Sequence, residues 1–431
     1  MKGSIARCVV AFGILSVACG GTSTGGDDQP GSEGDDGGLD GALSDGSVLG
    51  SGEAGSDGRA LLDGSSGGDV VTATDGPTGS ADGPASDAPS SGSLPALHVD
   101  GNLIKDSSGN TVVLRGVAIP DIGSLDVGAG GSTGVSARID EILGAAQLDV
   151  HVIRMPVYPR TCFNGAYPYY SPEPFPIGTA PTADAGAIAL SATDYINNVL
   201  KPAVAYAESK NLYVIIDYHQ IDNVTGANNS GADAATFWTQ IAPIFANDPN
   251  VIYEAFNEPI DTTDGITAGT WSTTFTTAAE SWVTAIRAGA PNNLIIVGSP
   301  SWSQYPNGSS GLTGGNLAFT AHAYPGNWPG AAPKGGGTTF QSRVDTAAMT
   351  VPIFMTEWGF TTDTSQETSN PSLYTPDDTW ANSLKTDATT TGASWTAWVA
   401  DPSWGPPMFG NATATTLTDF GTFVQTWLKS P

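Results

Sequence analysis

Eight apolar runs at fairly even intervals, separated by stretches with helical spacing, predict an α/β chain. Its fold is read as a (β/α)8 TIM barrel behind a short N-terminal β-hairpin and a long linker. Three observations carry that reading. The runs are continuously apolar rather than alternating, which suits parallel strands covered on their outer face. Strand and helix patterns alternate along residues 96–431, as successive βαβ units require. Polar residues recur at the last positions of the runs, the strand end that carries the active site in a barrel. No glycine-rich phosphate fingerprint follows the first run, which weighs against an open dinucleotide-binding sheet.

The chain has 431 residues, and its first part is not barrel material. Lys2 and Arg7 precede the apolar run CVVAFGILSVA, which ends at ACGG around Cys19. Residues 1–19 therefore read as a secretory signal peptide, too short to span a membrane stably. Its end resembles a bacterial lipobox with Cys19 as the lipid attachment site, although Ser16 stands where that motif usually has an aliphatic residue and Leu15 lies one position further back. Cleavage and release is the alternative. Residues 20–95 hold fourteen acids, one base (Arg59) and almost no large apolar side chains. Such a segment cannot offset its chain entropy by burial, so a disordered, self-repelling linker is expected, a spacer holding the domain off a membrane.

Net charge is -28, shared between linker and barrel. No nucleic-acid partner is expected, because phosphate backbones need clustered Lys and Arg. A neutral polysaccharide is compatible. Of three cysteines, Cys8 leaves with the signal peptide, Cys19 carries the lipid, and Cys162 has no partner. The domain is large enough to fold without a disulfide. The expected protein is an exported monomer that touches the membrane only through its lipid anchor, at the outer membrane or cell surface, or is secreted if Cys19 is not lipidated.

The barrel pattern opens with LHVDGNLIKDSSGNTVVLRGV, a hairpin turning at Ser107 to Asn110 and then a buried strand. The eight runs are VVLRGVAI (112–119), DVHVIRMPV (149–157), LYVIIDYH (212–219), VIYEAFNEP (251–259), NLIIVGSP (293–300), LAFTAHAY (317–324), VPIFMTEWG (351–359) and ASWTAWVA (393–400). Helical spacing is clearest in VSARIDEILGAAQ, ATDYINNVLKPAVAYAESK, AATFWTQIAPIFA, GTWSTTFTTAAESWVTAIRAGA, TPDDTWANSLKTDATTTG and TTLTDFGTFVQTWLK. After the fifth and sixth runs the segments are short or poorly periodic, and the helical signal is weakest there.

The run ends supply Arg154, Asp217 and His219, Asn257 and Glu258, His322 and Tyr324, Glu357, and Trp398. Each alone is an ordinary solvated strand end. Six ends agreeing point to one mouth. Glu258 and Glu357, on the fourth and seventh runs, suggest paired-carboxylate chemistry, as in glycoside hydrolysis. In VIYEAFNEP, Pro259 is expected to end the strand, and Glu254, inside the rim, is read as a structural residue paired within the barrel.

FNEP, DYH, HAY and TEWG at these spacings, with the opening GNLIKDSSGNTVVLRGV, resemble glycoside hydrolase family 5 over residues 97–428. The resemblance implies Glu258 as acid/base and Glu357 as nucleophile, with Asn257 on the sugar 2-hydroxyl. It implies Arg154 and Tyr324 as the groups that keep Glu357 ionised and aimed. His219 and His322 would bind sugar hydroxyls and orient the acid/base, and Trp398 would form the platform under the reacting sugar. The usual DWH is DYH here, so Tyr218 departs from the pattern. Of the aromatics beyond the strand ends, Trp302 and Trp328 are the candidates for sugar stacking; Tyr158, Phe163, Tyr169, Tyr170, Tyr305 and Trp404 fit loop packing equally well. No cofactor is expected, and no metal, since no histidines have ligand spacing and cysteine pairs are absent. The implied activity is retaining endo-hydrolysis of a β-1,4-linked plant-type polysaccharide, cellulose or β-glucan. The alternatives are a β-mannanase with the same catalytic residues and a catalytically inactive glycan-binding lipoprotein. A barrel isomerase or aldolase lacks support, with no phosphate loop and no Schiff-base lysine at a strand end.

Overall fold

The computed structural model describes residues 94–127, 134–158, 192–225, 230–260, 271–306, 311–326 and 340–430. The signal peptide, Cys19, the linker up to residue 93, Cys162, Phe163, Tyr169, Tyr170 and Trp328 lie outside the described residues.

A two-stranded antiparallel hairpin, β1 (His98–Asp100) and β2 (Leu103–Lys105), opens the fold. Its ladder turns at Gly101–Asn102, where Gly101 takes a φ of 63°, and the chain turns back again at Ser107 to Asn110, so that Thr111 bridges antiparallel to Lys105. That later stretch is a separate turn, organised by Asp106, whose Oδ1 accepts from the backbone of Ser108 and Asn110, each at 2.9 Å. Asp and Asn so often hold turns that the sequence alone left the two positions hard to separate.

All eight apolar runs form strands of one closed barrel. They are β3 (Arg115–Ala118), β4 (Val152–Val157), β5 (Tyr213–Tyr218), β7 (Val251–Glu254), β9 (Ile295–Val297), β10 (Leu317–Ala323), β11 (Ile353–Trp358) and β12 (Ser394–Ala397). Each pairs in parallel with the next, and β12 returns to β3. Side chains alternate across the strands. Val152, Ile215, Ile252, Ile296, Ala318 and Phe354 fill the lower interior, closed from beneath by Leu97, Ile104 and Leu114 around the hairpin. Arg154, Asp217 and Glu254, two residues further along their strands, are buried above this plug. The outward positions, such as Ile153, Ile216, Tyr253 and Met355, pack under the helices.

The helices follow the 3.6-residue pattern. Thr273–Gly289 starts at Ser272, whose hydroxyl caps Phe275 N–H, and buries Phe275, Ala279, Trp282, Val283 and Ile286. Asp419–Leu428 starts the same way at Thr418 and buries Phe420, Val424 and Trp427. A helix does follow the sixth run, at Phe340–Ala348. Its sequence signal is weak because FQSRVDTAA offers Val344 and small alanines in place of a broad apolar stripe. After the fifth run there is one turn, Pro300–Ser303, in which Ser301, Trp302 and Ser303 are all left-handed, with φ of 57°, 53° and 54°.

The fourth run departs from a simple strand. Pairing stops at Glu254 and resumes at β8 (Glu258–Ile260), which pairs in parallel with β6 (Ile221–Asn223) as a two-stranded ribbon above the barrel. Pro259 therefore lies within a strand and does not end one. The ribbon tolerates it because Glu258 N–H and Ile260 C=O, flanking it, carry the bonds to Gln220 and Val224. The break is built: Trp238 Nε1 donates to Ala255 O at 2.9 Å. On the other side Gly298 packs so closely that a Cβ there would stand 2.1 Å from Phe256 O. Among the described residues no helix is long and apolar enough to cross a membrane.

Candidate active site

Arg154 is the centre of the polar layer and is fully buried. Its Nε and Nη2 form a fork on Glu254, at 2.7 and 3.1 Å. Nη2 also reaches Asn257 Oδ1 at 2.6 Å and Asp217 Oδ2 at 2.9 Å. Nη1 donates to Glu357 Oε2 at 3.1 Å. Burial alone would lower the guanidinium pKa, but the charges of Asp217, Glu254 and Glu357 outweigh it and hold Arg154 well above its ordinary value. One cation thus faces three carboxylates. The consequence falls on Glu254, which burial, only partly offset by Arg154, pushes up to about 7.

Glu357, at the end of β11, is gripped on both oxygens, since Tyr324 donates its hydroxyl to Oε1 at 2.5 Å. Two donors, one cationic, favour the ionised form. Glu258 meets a different partner. His322 Nδ1 lies 2.8 Å from Glu258 Oε1, and its Nε2 lies 3.1 Å from the Thr356 hydroxyl. Burial, reinforced by the charges of Arg154 and His219, drives the His322 pKa well below the usual histidine value, so the ring is neutral. Two carboxyl groups in one pocket therefore have opposite surroundings: a cation and a phenol on one, a neutral imidazole on the other.

Ligating atoms of Glu258, His322 and Glu357 all lie within 4.8 Å of one another. The cluster has the composition of a metal site, but its donor set suits proton exchange better. The oxygens of Glu357 are taken by Tyr324 and by a guanidinium that would repel a cation, and His322 Nδ1 is turned to Glu258.

Asn257 offers its carbonyl to Arg154, while its Nδ2 is buried with no partner among the described residues, a donor left for a ligand oxygen. Its backbone is fixed from two sides, by Tyr218 O at 3.0 Å and by the Ser303 hydroxyl, which donates to Asn257 O at 2.5 Å. His219 Nδ1 pairs with Asp217 Oδ2 at 2.6 Å, and its ring lies parallel to Trp398, with centroids 5.3 Å apart. Trp398 also takes the Arg154 guanidinium over its ring at 5.8 Å. It is only 2% exposed, with Trp404 and His219 packed on it. Trp398 thus forms a wall of the site beside Arg154 and His219. Trp302, on the left-handed turn, is half-buried, and its indole N–H has no partner among the described residues.

The structure brings Glu258, Glu357, Arg154, Asn257, His219, His322, Tyr324 and Trp398 into one pocket. Thr356, Ser303 and the loop brace of Arg138 with Asp401 were not singled out from sequence. Arg138 donates to Asp401 Oδ2 at 2.8 Å and to Ala400 O at 2.6 Å, beside Trp398. The signal for Thr356 was present, since it lies two residues beyond inward-facing Phe354 on the same strand. Nothing in the sequence pointed to Ser303.

Residues 129–403, more than half of the chain, match the model of the family described as cellulase (glycosyl hydrolase family 5). The chain belongs to glycosyl hydrolase family 5. Among curated members similar to it are Endoglucanase Z of Dickeya dadantii, 34% identical over 167 residues, 38% of this chain and 34% of that protein. Endoglucanase N of Pectobacterium atrosepticum is 33% identical over 205 residues, 47% of this chain and 41% of that protein. The chain thus spans well under half the length of these relatives. In fold, this family 5 chain is similar to a β-glucanase of Saccharophagus degradans solved with cellotetraose, with a TM-score of 0.60 and 24% identity over 78% of this chain and 94% of that one. It is similar as well to the catalytic domain of Thermobifida fusca endoglucanase Cel5A, with a TM-score of 0.56 and 20% identity over 78% and 97%.

Proposed function

We propose that this family 5 chain is a retaining endo-β-1,4-glucanase. The observation that carries the reading is the pair Glu258 and Glu357: their carboxylate oxygens approach within 4.8 Å, and their surroundings favour opposite protonation states. Retaining glycosidases hold their two carboxyl groups about 5–5.5 Å apart, whereas inverting ones leave about 6.5–9.5 Å for a water. The named activities of the similar proteins support glucan as the substrate class.

In this reading Glu357, held ionised by Arg154 and Tyr324, attacks the anomeric carbon. Glu258 gives its proton to the glycosidic oxygen as the bond to it breaks. A covalent glycosyl-Glu357 results. Glu258, now ionised, takes a proton from water, which attacks the same carbon and frees Glu357 and the product with its configuration retained. Asn257 Nδ2 donates to the sugar 2-hydroxyl, a bond that tightens as positive charge grows on the ring. Arg154 carries no proton to substrate; it holds Asn257 and Glu357 at fixed separation.

On the sequence evidence we include in the proposal an exported protein, lipid-anchored at Cys19 through an acidic linker, with a barrel domain over 96–431.

Hydrolysis of carboxymethylcellulose, mixed-linkage glucan, glucomannan and galactomannan, with the anomer of the first product read by NMR, tests the function. Cleavage of the glucans with a β-anomer first supports it. Cleavage of galactomannan alone makes the chain a mannanase, an α-anomer first makes it inverting, and binding without turnover makes it a glycan-binding protein.

A further inference from the structure

Glu254 is, with Asp217, one of the two buried carboxylates of the polar layer that the reaction above does not use. It is 0% exposed on β7, four residues before Glu258, and the groups around it come from four other strands. Arg154 (β4) forks onto it, and Asp217 (β5) shares that guanidinium. From β10, His322 Nε2 stands 4.0 Å from its Oε1. From β11, the Thr356 hydroxyl hydrogen-bonds it, and Glu357 shares Arg154.

Thr356 is the hinge of the argument. Above about pH 7 Glu254 is ionised and both its oxygens take the Arg154 fork, so that carboxylate can only accept. The one hydroxyl hydrogen of Thr356 therefore goes to it, and the Thr320 hydroxyl, also paired with Thr356 Oγ1, gives its hydrogen to Thr356. The oxygen is then the acceptor toward His322 Nε2, which lies 3.1 Å away, so Nε2 carries the ring's one hydrogen. The ring is neutral, and Nδ1 is therefore bare. A bare Nδ1 at 2.8 Å from Glu258 Oε1 is a hydrogen bond only if Glu258 supplies the proton. The direction runs from Glu258 through His322 and Thr356 to Glu254.

We propose that Glu254 is a positioning residue for Glu258: acting through Thr356 and His322, its charge fixes a hydrogen-bond direction in which Glu258 must hold the proton it will donate. The proposal rests on the reading of Glu258 as the acid. The two carboxyl groups compete for one proton along the chain, so ionisation of Glu254 pushes that of Glu258 to higher pH. Sequence offers no route to this link. Glu254 is apart from FNEP, and its partners lie on other strands.

The test uses the alkaline limb of the kcat/KM profile, which reports the acid in the free enzyme. On whichever β-1,4-linked tetraose the wild type cleaves, Glu254→Gln and Thr356→Val should each move that limb down by about one pH unit. Glu254→Asp keeps the charge and should restore the limb, even where a shorter reach to Arg154 lowers kcat. On an aryl glycoside whose leaving group needs no acid, none of the three should move it. In the wild-type protein, 15N spectra of His322 should show a bare Nδ1 and a protonated Nε2 above about pH 7, where Glu254 is ionised, a readout independent of whether any variant folds. An unmoved limb in both charge-breaking variants, or a protonated Nδ1 in the resting enzyme above about pH 7, overturns the inference. Failure of the wild type to cleave any tetraose or aryl glycoside instead removes the glucanase reading beneath it.

Discussion

Tyr324 donates its hydroxyl to Glu357 Oε1 across 2.5 Å from the neighbouring strand of the barrel, on the oxygen that Arg154 leaves free. The carboxylate is thereby fixed in rotation as well as in charge. Tyr324→Phe removes one charge-assisted hydrogen bond, which is worth about 1.5–3 kcal/mol. The expected loss in kcat is about 10–100-fold, with KM little changed, because the bond matters most when the carboxylate must be aimed. Steady-state kinetics on a soluble glucan checks it.

The two glutamates separate by the products of rescue. Glu357→Ala opens a hole on the nucleophile's side of the sugar, and added azide with an activated aryl β-glycoside should give an α-glycosyl azide. Glu258→Ala still forms the covalent intermediate from that substrate, and azide then attacks from the opposite face to give a β-glycosyl azide. NMR of the products decides it. The same anomer from both variants would contradict the assignment.

His322 gives the protein a pH-dependent stability of known sign. Its folded pKa is depressed by burial, with Arg154 and His219 adding to the effect, so the native state binds fewer protons than the unfolded chain below the ordinary histidine pKa. Stability from this group is present above about pH 6.5 and is lost as pH falls below it, at up to about 1.4 kcal/mol per pH unit. Glu254, raised by burial, acts in the opposite sense between the ordinary carboxylate pKa and about 7. Comparing thermal unfolding of the wild type and His322→Asn across pH 5 to 8 isolates the first term. The difference between the two proteins should shift in favour of the variant on acidification, and a constant difference would refute the assignment.

Ser303→Ala removes the hydroxyl that holds Asn257 O at 2.5 Å while leaving the left-handed turn in place. A net hydrogen bond is worth about 0.5–1.5 kcal/mol. A fall in stability of that size, with a kcat loss under about 10-fold, is expected from calorimetry and kinetics.

Cys19→Ser tests the proposed tether: the protein should leave membrane fractions while activity on soluble substrate stays. A protein beginning at Ser93 should likewise keep its specific activity, and unchanged membrane association of Cys19→Ser would refute lipidation.

The barrel was legible because its strands are buried on both sides and read as unbroken apolar runs, and because polar residues interrupt those runs only where they reach the mouth. Glu258 and Glu357 stood out for that reason. What sequence could not give is contact between strands distant in the chain. Thr356 gains its meaning from Glu254 and His322, 102 and 34 residues away. The resumption of pairing at Glu258–Ile260 was hidden because Pro259 is a strand breaker in every context except an edge ribbon. The packing of His219 and Trp404 against Trp398 likewise joins residues that no local pattern links.

The hairpin that closes the lower end of the barrel carries a geometric consequence. Leu97, Ile104 and Leu114 pack beneath Val152, Ile252 and Phe354, so the polypeptide joins the domain through its floor. The strand ends bearing Glu258 and Glu357 open on the opposite pole. The described chain therefore begins, at Leu94, on the pole away from the two glutamates.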